Sequence, residues 1–377
     1  MELKEYRFDE VTINFDKKRI PLSGAQRKKR QGNFRYYGAQ GVIDHIDDFI
    51  FDGTYLLIAE DGENLKSKKQ NIAQVVEGQF WVNNHAHIVQ GNELCNTRYL
   101  CYLLNSMDLS GYVTGSAQPK LSQANLNAVT LFLPSITVQD RIVESLYLFD
   151  KKIAVNQKIN DNLYEMVNAY YTSLFKESDF EMTTVGNYAE RIYSGGTPMT
   201  SNAAYWNGTF GWFSSGETRN RFVISTEKTI TQAGIDNSST KLATKYDIVM
   251  ASAGQGFTRG QTSMLLIDTY VNQSVIVIKS ERNILPYLFW NLVNRYDELR
   301  AISDSSSIRG SLTTKMIAAF EIPLANEQSL QAFADFAWSV IPQIENNLLE
   351  NERLTALRDS LLPKLMSGEI DVTDIQL

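Results

Sequence analysis

Val138-Gln-Asp-Arg-Ile142-Val-Glu-Ser-Leu146-Tyr-Leu-Phe149-Asp-Lys-Lys-Ile153 opens the segment that decides the fold. Its apolar residues continue through Ile159, Leu163, Met166, Tyr170 and Leu174, mostly in steps of three or four. That spacing keeps one stripe on one face of a helix. Pro134 stands before it, and Ser135 or Thr137 can cap its start. At about 1.5 Å per residue the helix reaches roughly 57 Å, more than the width of a small domain. A second stripe runs through Leu330, Phe333, Phe336, Val340, Ile344, Leu348, Leu354, Leu357, Leu361 and Leu365. It too follows a proline, Pro323, and Pro363 and Gly368 mark its end. Pro342 lies inside it and predicts a kink or a break. Water cannot satisfy either stripe, so the two helices are expected to pair antiparallel, as in a coiled coil.

Outward from the helices, the chain repeats itself. Pro134 matches Pro323, Gln139 matches Gln328, and Val82-Asn83-Asn84 matches Val271-Asn272-Gln273, each pair 189 residues apart. Leu56-Leu57-Ile58-Ala59 with Gly62 matches Ile248-Val249-Met250-Ala251 with Gly254, at a spacing of 192. These landmarks predict two copies of one unit, a strand-rich part followed by a long helix. Strands are expected at 48–51, 55–59, 80–89 and 129–133, then at 210–213, 248–251, 263–267, 274–279 and 319–322. Short helices are expected at 98–105 and 286–300. The fold class is therefore α+β: two strand-rich α/β parts joined by two long antiparallel helices, with an internal pseudo-twofold repeat. The expected boundaries are 1–134, 135–178, 179–323 and 324–377, with the globular parts at opposite ends of a rod.

Composition agrees with several domains. The chain has 377 residues, 43% hydrophobic and 21% charged, which is a globular balance. Its opening, MELKEYRFDE, mixes charge with apolar groups and predicts no signal peptide. The longest uncharged run, between Arg191 and Glu217, is rich in Gly, Ser, Thr and Asn and is no bilayer helix. Two cysteines, Cys95 and Cys101, are too few for a disulfide scaffold and suit a reducing, cytoplasmic setting. The net charge of −7 hides an asymmetry. Eight cations fall between Lys17 and Arg35, with no acid from Lys17 to Val42, whereas residues 327–374 hold nine acids against three bases. A basic segment interleaved with Asn33, Tyr36 and Tyr37 suits phosphate contact and base-edge readout.

Catalytic signatures are missing. Gly254-Gln-Gly256-Phe-Thr-Arg-Gly260 resembles a nucleotide loop, but a strand follows it instead of a helix, so a hairpin loop is expected. No GxxxxGK[ST] or GxSxG occurs. His85 and His87 alternate on one strand without an indicated third ligand, so no metal site is expected. Asp61 and Glu63 lack a convincing nuclease spacing. No Asn/Asp-Pro-Pro-Tyr/Phe stretch is present to grip a flipped base.

The order of these motifs resembles the DNA-specificity (S) subunit of type I restriction–modification systems along essentially the whole chain. Arg35-Tyr-Tyr-Gly-Ala-Gln-Gly-Val-Ile-Asp-His-Ile-Asp-Asp-Phe-Ile-Phe-Asp-Gly53 and Leu57-Ile-Ala-Glu-Asp-Gly62 are similar to one version of its target-recognition domain. Ser194-Gly-Gly-Thr-Pro198 and Tyr246-Asp-Ile-Val-Met-Ala-Ser-Ala-Gly254 are similar to another. Gly115-Ser-Ala-Gln-Pro-Lys-Leu121 and the ending Ser360-Leu-Leu-Pro-Lys-Leu-Met-Ser-Gly-Glu-Ile370 also fit. The resemblance implies that each globular part reads one half of a split, asymmetric DNA target. It implies that the helices fix the gap between the halves and dock two modification (M) subunits, with restriction (R) subunits joining the full complex. This chain would then hold no cofactor and no catalytic residue. S-adenosylmethionine, ATP and magnesium would sit on its partners.

Candidate DNA contacts in the first part are Arg27, Lys28, Arg30, Asn33, Arg35, Tyr37, Lys68, Lys69 and Lys120. In the second part they are Thr197, Arg219, Arg221, Gln255, Arg259 and Arg309. Arg, Asn and Gln suit base edges, and lysines suit phosphates. Two other readings compete: a stand-alone magnesium-dependent endonuclease using Asp61 and Glu63, and a two-headed protein-interaction scaffold.

Overall fold

The first long helix covers Ile136–Phe175 and the second Glu327–Ser367. The computed structural model describes residues 2–39, 41–67, 70–115, 118–175, 181–254, 257–305, 310–370 and 372. The chain divides into two units, Met1–Lys152 with Leu354–Leu377, and Ile153–Arg353. Each unit contains a stretch of both helices. In the second unit, Asn156 Nδ2 donates to Glu350 Oε2 at 2.7 Å and to Asn351 Oδ1 at 2.9 Å. Asn160 accepts from Asn347 Nδ2 at 2.7 Å, and the Tyr170 ring lies 5.0 Å from that of Phe336. Rising numbers on one helix meet falling numbers on the other, so the pair is antiparallel. In the first unit, Arg358 Nη1 meets Asp150 Oδ1 at 2.6 Å, and Leu146 shares a core with Leu362 and Leu365.

The second helix is not broken at Pro342, one of the two outcomes expected there, and it runs on through Pro363. Each proline removes one helical N–H, at a cost of about 3 kcal/mol or more. Around Pro342, Val340, Ile341 and Ile344 are 5%, 0% and 1% exposed. Burying such side chains stabilises by about 1.5–3 kcal/mol each, which outweighs the lost bond. Gly368, at φ 77°, ends the helix.

In the first unit the strands are β1 (Lys4–Arg7), β2 (Thr12–Asn14), β3 (Gln31–Gly38), β4 (Gly41–Ile46), β5 (Phe51–Ala59), β6 (Ala73–Val82), β7 (Ala86–Gly91) and β8 (Thr130–Leu133). Six form one sheet in the order β2-β7-β5-β6-β3-β4, and β1 pairs with β8. The second unit adds β9 (Met182–Thr184), β10 (Ala189–Ser194), β11 (Trp206–Phe213), β12 (Phe222–Val223), β13 (Lys228–Ile230), β14 (Lys241–Ala243), β15 (Ile248–Ala251), β16 (Thr262–Leu265), β17 (Thr269–Val271), β18 (Val275–Ser280) and β19 (Glu321–Pro323). They form the sheets β10-β18-β15-β16-β12 and β13-β11-β17-β14, and β9 pairs with β19.

The repeat is a shared skeleton. Ranked by chain position, β2-β7-β5-β6-β3 and β10-β18-β15-β16-β12 both read 1-5-3-4-2. In both, the last pair alone is parallel. Registers agree as well: Leu56 faces Val89 and Ala59 faces Ala86, as Ile248 faces Ile278 and Ala251 faces Val275. Asn83 caps its turn by accepting from the N–H of His85, and Asn272 does the same for Ser274. The units differ in what is added, an edge strand β4 beside β3 in the first and a whole second sheet in the second.

The sequence offsets of 189 and 192 do not extend to the helices. From the N-caps Ser122 and Thr313 onward, through both helix starts, the offset is 191. Gln139 is buried and donates to the carbonyls of Leu94 and Pro134, while Gln328 is exposed, so these two are not equivalent. Other expectations shift too. Residues 80–89 form two strands split by the Asn83 turn, and 286–300 form two helices, Leu285–Asn294 and Tyr296–Ser305. Residues 48–50 lie outside any strand.

Candidate nucleic-acid interface

The basic segment is not an open loop. It forms a 3-10 turn (Asp16–Lys18), a short helix (Gly24–Lys29) and β3. Ser23 caps that helix and Gln26 reaches back in a capping box, which sets its direction. Acids elsewhere in the chain pair much of the charge. Arg27 Nε meets Asp44 Oδ2 at 2.9 Å, and Arg30 reaches Asp47 at 2.8 Å and Asp48 at 3.4 Å. Gln31 and Arg27, both bonding Asp44, hold its carboxyl below the usual range. Both guanidiniums also lie over rings, Arg27 on Tyr36 at 5.2 Å and Arg30 on Trp81 at 5.0 Å. Arg35 Nη2 donates to the Glu77 carbonyl at 2.6 Å. Lys17, Lys18, Lys28, Lys29 and Asn33 are exposed.

Tyr37 needs correcting. It is 5% exposed and packs edge-on against Phe80, so its ring belongs to the core and cannot stack on a base. Lys120 Nζ meets Glu60 Oε1 at 3.3 Å and keeps half its side chain in solvent. Lys68 and Lys69 lie outside the described residues.

A buried charge cluster anchors this end of the first unit. His87 is 1% exposed, with Nδ1 2.6 Å from Asp16 Oδ2 and Nε2 2.9 Å from the Leu121 carbonyl. Both neighbours are acceptors, so the imidazole donates twice and is protonated. Burial pulls the His87 pKa down, but the Asp16 and Leu121 bonds and the charges of Asp16 and Glu60 overcome this and raise it. Burial pushes Asp16 up, and its bonds from His87 and the Ile88 N–H, with the charges of His87 and Arg19, take it below its ordinary value. His87 is thus a structural cation. His85 sits in the turn, with Nδ1 2.7 Å from Asp61 Oδ2. Among the described residues no group of three His, Cys, Asp or Glu side chains is placed to hold a metal.

In the second unit, four segments converge at the C-terminal end of β15 and the N-terminal ends of β16 and β18. Gly195 and Gly196 donate to the carbonyls of Asn272 and Val271, which docks the 194–200 loop. A Cβ on Gly195 would lie 1.9 Å from the Val271 oxygen, so this close approach needs glycine. The Thr197 hydroxyl donates to Gln273 Oε1. Trp206 and Trp212 pack edge to face at 5.0 Å, and their Nε1 groups donate to the carbonyls of Met199 and Gly196. Lys228 lies over both rings, at 5.7 and 5.9 Å. Next to it, Glu227 pairs with the exposed Arg219. Thr218 and Gln261 approach within 3.4 Å, which brings the β15–β16 loop alongside. β15 and β16 are antiparallel, so that glycine-rich loop joins a hairpin, as expected.

The structure therefore pairs Thr197 with Gln273, sets Lys228 over Trp206, and holds Arg219 against Glu227, next to Lys228 in sequence. Arg221 stands apart, its guanidinium 4.1 Å above the Tyr164 ring, beside a cleft of about 490 Å³ lined by Asn160, Asp161 and Asn220. Arg259 is a brace: it reaches Asp304 at 2.6 Å, Ser303 at 3.2 Å and the Gly310 carbonyl, with its side chain 16% exposed. A residue so engaged holds a loop in place and has little left for DNA. Gln255 and Arg309 lie outside the described residues. Sequence reasoning missed Gln273, the partner of Thr197, although the Asn272-Gln273 landmark of the repeat marked its turn.

A family model described as the type I restriction modification DNA specificity domain matches residues 2–165 and again 177–352. A putative type I restriction enzyme specificity subunit of Haemophilus influenzae, S.HindORF215P, is 35% identical over 138 residues, 37% of this chain and 35% of that protein. The Escherichia coli EcoR124I/EcoR124II specificity subunit is 26% identical over 253 residues, 63% of this chain and 61% of that protein. These matches span about a third and three-fifths of the two relatives' lengths. The crystal structure of a type I restriction–modification S subunit from M. genitalium is similar in fold, with a TM-score of 0.58, 14% identity, and 97% of this chain and 96% of that chain covered.

Proposed function

The chain belongs to the type I restriction–modification DNA specificity family, and from that premise we propose that it is the DNA-specificity subunit of such a complex. Its two recognition domains, 1–134 and 179–323, read the two halves of a split target. The long helices, proposed at 135–178 and 324–377, set the gap and dock two modification subunits, with restriction subunits in the full assembly. The chain itself contributes address and no catalysis. S-adenosylmethionine, ATP and magnesium act on the partner subunits.

The observation that carries this reading is one 1-5-3-4-2 skeleton built twice with different additions. A shared skeleton suits one mode of docking on DNA, and different additions suit different half-sites, hence an asymmetric target. The exposed Lys17, Lys18, Lys28 and Lys29 of the first unit suit phosphates. Thr197, Arg219 and Gln273 of the second, with Arg27, Arg30, Asn33 and Arg35 of the first, suit base edges. Among the described residues, no helix is long and apolar enough to cross a membrane.

The test is the affinity of the chain, co-purified with its modification subunits, for duplexes with and without the target. Site-specific binding that weakens steeply with salt is expected. Arg219→Ala should cost about 1–3 kcal/mol and relax one position if the guanidinium reads a base, or lower the salt slope by about 1 if it meets a phosphate. Duplex cleavage by the isolated chain with magnesium would instead favour the endonuclease reading.

A further inference from the structure

Phe257 stands out from every other apolar side chain. It is 81% exposed, the most of any large hydrophobic residue among those described. Phenylalanine ordinarily goes inside, so the exposure asks for a partner. The described part of the loop that carries it, from Phe257 to Gln261, is held by hydrogen bonds. At its base, the Ala251 N–H donates to the Gln261 carbonyl at 3.0 Å, and the Gly260 N–H donates to the Ala251 carbonyl at 2.9 Å. The Tyr296 hydroxyl donates to the Phe257 carbonyl itself at 2.7 Å. Two residues on, Arg259 is tied to Ser303, Asp304 and Gly310. Gly260, at φ 82°, makes the turn that brings the chain back to β16. The backbone from Phe257 to Gln261 is braced while the ring is left in solvent.

Its surroundings indicate what the ring meets. Thr197, Gln273 and Arg219 share this end of the second unit, linked to the loop through Ser274–Ser252 and Gln261–Thr218 contacts. The nearby acids Glu227 and Asp304 are each held by an arginine. An exposed aromatic ring at the same end of the unit as Thr197, Gln273 and Arg219 suits stacked base pairs flanked by phosphates. Proteins that bend or open DNA use apolar wedges in this way, and base stacking on aromatic rings is tolerant of sequence.

We propose that Phe257 is a stacking wedge, pressed into or against one base-pair step of the DNA that the second unit reads. The proposal rests on the DNA-specificity reading above. Because it opens or tilts a step, Phe257 adds selectivity through deformability at a position that need not be hydrogen-bonded.

The experiment uses the full chain with its modification subunits. Target duplexes carry 2-aminopurine at successive positions of the half-site assigned to the second unit. With the native chain, fluorescence should rise at one step only. Phe257→Ala should remove that signal and weaken specific binding about ten-fold, leaving non-specific binding unchanged. Phe257→Trp should keep both signal and affinity. At 81% exposure, with Tyr296 bonded to the carbonyl, Phe257→Ala should fold normally. A Phe257→Ala complex with native affinity and native fluorescence would overturn the wedge. So would loss of modification-subunit association with DNA contacts unchanged, which would make Phe257 a protein-docking residue. Absence of any site-specific binding by the native complex would remove the DNA-specificity reading itself, and the wedge with it.

Discussion

Asp16→Ala is expected to destabilise the first unit by roughly 3–5 kcal/mol, because it strips the partner from buried cations. Asp16 Oδ2 lies 2.6 Å from His87 and 3.3 Å from Arg19, and its Oδ1 accepts from the Ile88 N–H at 2.8 Å. Arg19 keeps Glu60 at 3.1 Å and the Ala86 carbonyl, but the buried His87 Nδ1 is left without an acceptor. The effect depends on pH with a definite sign. The His87 pKa is raised on folding. Its contribution is therefore full below its ordinary value of about 6.5 and is lost as pH rises through the folded value. Asp16 is lowered on folding. Its contribution is present above about 3.9 and is lost as pH falls through its folded value. The first unit should thus be most stable between about pH 4 and 6.5. Denaturant melts from below pH 4 to above pH 6.5 should show stability falling on either side of this window in the native chain and a flatter profile in Asp16→Ala. Equal midpoints for both chains at every pH would show that the cluster contributes nothing.

Trp290→Ala should have an effect of similar size on the second unit, about 3–5 kcal/mol. Trp290 is fully buried, with ring centroids of Tyr164, Phe222, Phe289 and Phe333 between 4.9 and 6.4 Å away. Tyr164 and Phe333 come from the two long helices and Phe222 from β12, so this one side chain ties helices to sheet. Removing it leaves a cavity that rigid rings around it cannot fill. Trp290→Phe should cost far less. The indole Nε1 is buried with no hydrogen-bond partner, and phenylalanine discards that burdened donor. Thermal melts should rank native and Trp290→Phe close together, with Trp290→Ala well below. A Trp290→Ala chain with native melting would mean that the helices are not held by this core.

The long helices were legible because steps of three and four, sustained over about forty residues, keep a stripe on one face only in a helix. The doubling was legible for the same reason that it is structural: Leu56–Ala59 with Ile248–Ala251, and Asn83 with Asn272, hold the same registers and the same turn. Two things were hidden. Strand order depends on non-local pairing, so nothing around Gln31–Gly38 announced a parallel partner at β6. Charge compensation is equally non-local. The run from Lys17 to Arg35 looked unpaired because most of its acids, Asp44, Asp47, Asp48 and Glu60, lie beyond it in sequence, Asp16 alone standing just before it. Pro342 suggested a break that does not occur, because a proline's local cost is visible in sequence, whereas the burial around it is not.

The candidate site followed the same division. Thr197 came from a loop's composition and Arg219 from a set of cations with few nearby acids, and the structure pairs them with Gln273 and Glu227. Tyr37 and Arg259 had the right chemistry for DNA but are spent on the fold, one in a core and one as a brace. Phe257 escaped notice inside a glycine-rich stretch that invited a nucleotide reading, and a lone phenylalanine is by default counted as core.

The central claim, that this chain supplies the address for DNA modification, is tested most directly by mapping N6-methyladenine across the host genome with and without its gene. The account predicts an asymmetric two-part motif that disappears on deletion and returns when the gene is restored. Methylation unchanged by the deletion would contradict it.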